Sequence, residues 1–299
     1  MHHYFEAGDL SLARAYAPKA AENAAKALAF ERAASLYARA VSLSAGSTDI
    51  AFLQIKQAEA LAKSGRCYDA AQLYLKIAEG LAGLERWELR RLAAEQLLAG
   101  AYTNEGLAII QSASGVLDIS LPRNGLTTLL GILLMSAMLL IRGIAPSRRS
   151  AASVSSTDIV RLDMLWSVTK GTTLSTGLLG LYCQTRHLLL ALKVGEPVRM
   201  VRGLVSEGYL AANRGTRALF AAGIIAQVNT MSGGLQSPSN RAMALSLEGV
   251  VAVSRGDWLA AEALLGESER VLLKQCSGQS WEISYQFHLI AIEKRIRIG

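Results

Sequence analysis

Pairs of small residues followed by Leu-Tyr recur along the chain. Within residues 29–41 the order is Ala33-Ala34-Ser35-Leu36-Tyr37, and 37 residues later it is Ala70-Ala71-Gln72-Leu73-Tyr74. Positions three and four apart lie on one face of a helix, so each motif presents small side chains and an aromatic ring on a shared face. The small residues let two helices approach closely, and the ring fills the gap toward the next helix. A pattern returning at such a period marks a stacked helix-pair repeat.

A second regularity sets the breaks between helices. Gly8 stands five residues before Ala13, Gly65 five before Ala70 and Gly256 five before Ala261. Glycine suits a helix end where the chain needs a positive φ. Trp258 occupies the repeat position also held by Leu10 and Cys67, which points to packing. The site residues expected from sequence are therefore packing residues: Gly8, Ala13, Ala33, Tyr37, Gly65, Ala70, Tyr74, Gly256, Trp258 and Ala261.

Hydrophobic periodicity, Gly and Pro predict helices over 4–27, 28–44, 50–63, 68–81, 87–99, 104–114 and 125–141. Further helices are predicted over 158–169, 178–193, 198–213, 216–231, 239–254, 258–274 and 281–296. Pro197 suits the first turn of its helix. Thr48 or Asp49 suits an N-cap. Residues 145–156, with Pro, Ser and Arg148-Arg149 and no apolar period, read as a linker between halves 1–144 and 157–299. The fold class is all-α, an α-solenoid of tetratricopeptide-like helix pairs forming a right-handed superhelix. The first repeat lacks its first helix, so the chain is expected to be a piece of something longer.

Residues 125–141 admit two readings. No charge lies between Arg123 and Arg142, and the length approaches the roughly 20 residues a membrane helix needs. A buried helix of the array is the expected reading, and membrane contact the alternative.

Composition agrees with an all-helical chain: 51% of the 299 residues are hydrophobic, 18% are charged and five are proline. The net charge of +7 is spread along solvated faces, with no cluster of Lys, Arg and aromatics to hold a nucleic acid. Three widely spaced cysteines, Cys67, Cys183 and Cys276, imply a reduced, cytoplasmic compartment. No secretory leader is expected, because Glu6 and Asp9 interrupt the start.

Candidate chemistry is sparse. GxxxxGK[ST], GxGxxG, HExxH and the kinase HRD and DFG triplets do not occur. His187 lies on an apolar helix with Cys183 four residues before it. A Cys–His nucleophile would also need an orienting group and an oxyanion site, and the sequence offers neither. No catalytic residue, metal site or cofactor is expected. The glycines of residues 171–180 could border a small-molecule pocket.

The ordered segments AGDLSLARAYAPKAAENAAKALAFERAASLYARAV, GRCYDAAQLYLKIAEG, LRRLAAEQLLAGAYTNEGL, RLDMLWSVTKG, CQTRHLLLALKVGEP, LEGVVAVSRGDWLAAEALL and QCSGQSWEI carry a resemblance across nearly the whole chain. It resembles the C-terminal tetratricopeptide-like region of large bacterial serine/threonine protein kinases that also hold a STAND-type, AAA-like ATPase module. The resemblance implies a non-catalytic scaffold whose partners are proteins, or kinase and ATPase domains upstream. It transfers no catalytic residue, and residues 126–141 depart from it in lacking arginine. Membrane contact is not expected of such a module, and a small-molecule sensor is the alternative function.

Overall fold

A computed structural model describes residues 10–44, 50–145, 154–172, 177–213, 218–234 and 237–276. Among these residues the chain forms 14 helices and no strand. In order they are α1 (Leu10–Lys26), α2 (Phe30–Leu43), α3 (Ile50–Lys63), α4 (Cys67–Glu79), α5 (Gly83–Ala99), α6 (Thr103–Ser112) and α7 (Ser114–Leu117). They continue with α8 (Gly125–Arg142), α9 (Ser156–Thr172), α10 (Gly177–Val194), α11 (Pro197–Asn213), α12 (Ala218–Gly234), α13 (Pro238–Ser254) and α14 (Trp258–Gln275). The helix expected over 281–296, the N-cap at Thr48 or Asp49, and Gly8 lie outside the described residues.

The helix ends follow local chemistry. Gly65 and Gly256 adopt φ of 84° and 76° at the turns into α4 and α14, a conformation that costs a side-chain-bearing residue strain. Asp257 caps α14 by accepting from the Ala260 amide at 3.2 Å. Asn124 caps α8 through its Oδ1, which accepts from the Thr127 amide at 2.9 Å in a reciprocal capping box. Between α5 and α6 the left-handed residue is Ala101, at φ 65°, and not the neighbouring Gly100. The Tyr102 amide, bonded to the Leu97 carbonyl at 2.8 Å, closes that turn and offsets the strain.

The chain divides into two compact units. Unit 1 is Met1–Leu121 with Ile159–Thr176, and unit 2 is Pro122–Asp158 with Gly177–Gly299. These borders differ from the expected halves 1–144 and 157–299. Contacts, not linker composition, define them, and they pass α9 back to unit 1.

In unit 1, each helix from α1 to α6 packs on the next. Along α1–α5 the interior is rich in small residues: Ala13, Ala33, Ala40, Ala70, Ala71 and Ala93 are fully buried, and Tyr37 and Tyr74 are buried among them, while Leu97, Ile110, Leu117, Leu162 and Leu165 fill the rest of the unit. α9 joins this unit through polar contacts with α5 and α7, and Arg161 Nε donates to the Leu117 carbonyl at 2.5 Å. At the closest approach to α5, a Cβ added at Gly171 would stand 2.4 Å from Leu98 Cβ.

In unit 2, α11 packs on α10, α12 and α13, and α14 packs on α13. Leu188, Leu192, Leu204, Ile224 and Leu247 are fully buried, as are Ala191 and Ala261. Ser268 Oγ crosses from α14 to donate to the Ala242 carbonyl at 2.7 Å, and Tyr209 donates to Ser246 at 2.9 Å. α8 runs parallel to α10: Gly131 lies against Tyr182, and eleven residues on, Arg142 Nη2 donates to the Leu192 carbonyl at 3.0 Å.

α8 overturns the expectation that it is a buried helix. Of its side chains Thr128, Ile132 and Leu139 are buried, while Leu126, Leu130, Leu134, Leu140 and Ile141 are exposed, Ile141 at 89%. It has a mean hydropathy of 1.9 and is long and apolar enough to cross a membrane. A charge-free sequence looks the same whether protein or something else covers it; here the protein covers one narrow seam.

Candidate functional site

The packing residues lie beneath the surface they support. Ala33 and Ala70 are fully buried, and Tyr37 and Tyr74 are buried on the same faces of α2 and α4. Burial pushes both phenols up from their ordinary range, so they stay neutral and act as packing groups. Ala13 is buried in α1, and Gly65 turns the chain into α4. Gly256, half-buried Trp258 and fully buried Ala261 belong to unit 2, at the α13–α14 turn.

On the other side of α2 and α4 is a groove of about 410 Å³. Ala34, Ser35 and Ala38 line it from α2, Gln57 and Leu61 from α3, and Asp69, Gln72, Leu73 and Lys76 from α4, with Arg66 at its edge. Ala34 and Ala38 sit one turn apart, so α2 contributes methyl groups where longer side chains would close the space. Leu61 and Leu73 give it apolar surface. Gln57 and Gln72 offer amides that both donate and accept. Arg66 Nε and Asp69 Oδ2 pair at 2.8 Å on the exposed rim, leaving Lys76 as the excess positive charge among the lining residues. Ser35 Oγ donates to the Glu31 carbonyl at 3.1 Å. The groove therefore has the chemistry to bind a polar, extended segment.

A charged cluster closes the far side of unit 1. Glu95 on α5 accepts from Lys170 Nζ at 2.6 Å and Ser167 Oγ at 2.7 Å, both on α9. Arg91 donates to Glu95 at 2.8 Å, to Ser167 at 2.9 Å and, through two nitrogens, to Glu88. Burial acts to raise the Glu95 carboxyl, but the charges of Lys170 and Arg91, with the two hydrogen bonds, overcome it and hold it down at about 2. For Arg91, burial acts to lower the guanidinium and its carboxylate partners outweigh that, so it stays charged. Each charge has a partner, as buried charges require, and the cluster's role is to fasten α9 to α5.

Cys183 and His187, the pair considered from sequence, lie in the interior of unit 2. Both side chains are fully buried, and burial pushes the Cys183 thiol up to about 12, whereas a nucleophilic cysteine needs its thiolate near neutrality. Gly171 falls in unit 1 while Gly177 and Gly180 fall in unit 2, with residues 173–176 between them outside the described residues. Among the described residues no group of His, Cys, Asp and Glu could hold a metal ion.

The residues of the groove were not singled out from sequence. The signal was present on the same helices, since Ser35, Gln72 and Lys76 interleave with the packing positions. Periodicity identifies which face is buried; it does not say which part of the other face is concave. No family model matches this chain, and neither a curated protein nor a solved structure does.

Proposed function

We propose that the chain is a non-catalytic helical-repeat scaffold that binds a protein segment in the groove formed by α2, α3 and α4. The observation that carries this reading is the groove itself, lined by the alanines of α2, two leucines and two amides. Successive packing from α1 to α6 supports a solenoid of tetratricopeptide-like pairs with a right-handed superhelix, because stacked helix pairs present such grooves along one surface. On this reading the partner is a protein segment, or kinase and ATPase domains of a cytoplasmic signalling protein, and no nucleic acid is bound. The volume also falls within the range of small-molecule sites, which supports a metabolite sensor as the second reading.

The test is selection of displayed peptides on the purified chain, followed by titration against Ala38→Trp, which fills the groove. Peptide affinity should fall at least roughly tenfold in the variant while helicity is retained. Selected peptides that bind the variant as tightly as the parent would refute the groove as the site. A metabolite that raises the melting temperature of the parent and not of Ala38→Trp would favour the sensor. Hydrolysis of ATP by the purified chain, or phosphorylation by it, would refute the non-catalytic reading.

A further inference from the structure

The exposed half of α8 is the largest feature the scaffold reading leaves unused. At 100° per residue, Leu129 and Met138 mark the two edges of its exposed apolar surface, about 180° apart around the helix axis. Leu126, Leu130, Leu134 and Ile141 fall inside that arc, all exposed. The opposite seam of Thr128, Ile132 and Leu139 is buried, and α8 packs on α10.

The width of the arc discriminates between occupants. A partner helix covers a stripe roughly 100° wide, which would leave close to half of this surface in water. A fluid apolar phase covers all of it. The helix has 18 residues, hence a length of roughly 27 Å, and carries no charge before its last residue.

Charge points the same way. Exposed Arg123 precedes α8, and exposed Arg142 is its last residue, with exposed Lys193 following the Leu192 carbonyl that Arg142 contacts. Between Asp118 and Asp158 the chain carries four arginines and no acidic residue. A surface bearing negative charge is the complement of that stretch.

We propose that α8 lies in the plane of an anionic lipid bilayer, with its exposed half among the acyl chains and Arg123 and Arg142 at the headgroups. Half-immersion follows from the arc: the seam against α10 stays with the protein while the other half leaves water. Basic residues at both ends hold such a helix flat, since each gains from the negative surface potential.

The experiment is co-sedimentation of the full chain with vesicles of phosphatidylcholine alone and of phosphatidylcholine mixed with phosphatidylglycerol. The parent should sediment with both and more strongly with the anionic vesicles. Leu130→Glu/Leu134→Glu should weaken partitioning at least roughly tenfold, because each charge would enter the acyl layer. Arg123→Gln should weaken the anionic preference about fivefold and leave binding to phosphatidylcholine unchanged. Helicity is checked by circular dichroism, and Leu130→Gln/Leu134→Gln replaces the double Glu variant if that variant loses it. A parent that stays in the supernatant, or a helical variant that sediments as the parent does, overturns the proposal. Self-association in light scattering that the same substitutions abolish, without vesicle binding, assigns the face to a second copy and also overturns it.

Discussion

In α1–α4 of unit 1 the fully buried side chains are alanines, whereas in α10, α11 and α13 of unit 2 they include leucines. Ala33, Ala70 and Ala71 are fully buried in the first, and Leu188, Leu192, Leu204 and Leu247 in the second. In unit 1 the small side chains bring helix backbones together, and a charged cluster then fastens α9. In unit 2 the helices are held by larger aliphatic side chains, and α8 keeps half its surface uncovered. These regions of one all-helical chain thus depend on opposite changes: α1–α4 are vulnerable to added volume, α10, α11 and α13 to lost volume, and the seat of α9 to loss of a charge.

The largest effect is expected at the cluster. Glu95→Ala leaves Lys170 and Arg91 without their shared carboxylate, and it should destabilise the chain by about 3–5 kcal/mol in urea unfolding. A loss under about 1 kcal/mol would show that α9 is fastened by packing alone. In unit 2, Leu204→Ala should cost about 2–5 kcal/mol by leaving a cavity. If it costs under about 1 kcal/mol, the contrast between the interiors fails.

Acid should act on unit 1 through the same carboxylate. Its native value of about 2 lies below the ordinary 4.5, so its contribution is present above 4.5 and is lost as pH falls through about 2. The contribution is at most about 3 kcal/mol, less whatever solvent screens at a side chain that keeps 24% of its surface. Melting temperatures of the parent and Glu95→Ala should converge as pH falls from 5 toward about 2; a constant gap would separate the cluster from the acid response.

Smaller effects sharpen the contrast. Ala70→Leu should cost about 1–3 kcal/mol, because the added methylenes have no space between α4 and its neighbours. A change from apolar to polar on the exposed part of α8 should be almost silent: Leu134→Gln should shift stability by under about 0.5 kcal/mol, measured by thermal unfolding. A larger loss at Leu134 would mean that this face is covered by protein in solution.

Particular elements show how much the sequence carries. Gly65 and Gly256 marked the turns into α4 and α14, and Pro197 marked the start of α11, because a turn or a fixed φ is chosen by a few neighbouring residues. The alanine and tyrosine positions marked buried faces, since a 3.6-residue period is local too. No local signal marks Ala101 as left-handed: that conformation is held by the hydrogen bond from the Tyr102 amide to the Leu97 carbonyl.

Other features depended on which helix meets which. Glu95 and Lys170 are 75 residues apart, and nothing near either one announces the pairing that places α9 in unit 1. The groove is lined from three helices, a property of their arrangement and not of any one pattern. α8 reads identically as a core helix or an uncovered one, because hydropathy records what a side chain prefers and not what is adjacent to it. By itself the sequence determined that the chain is helical, where its helices break and which faces are apolar, because local sterics and periodicity decide these. Only the tertiary structure decided the partners of each face and which one was left open, because those depend on contacts between residues far apart in the chain.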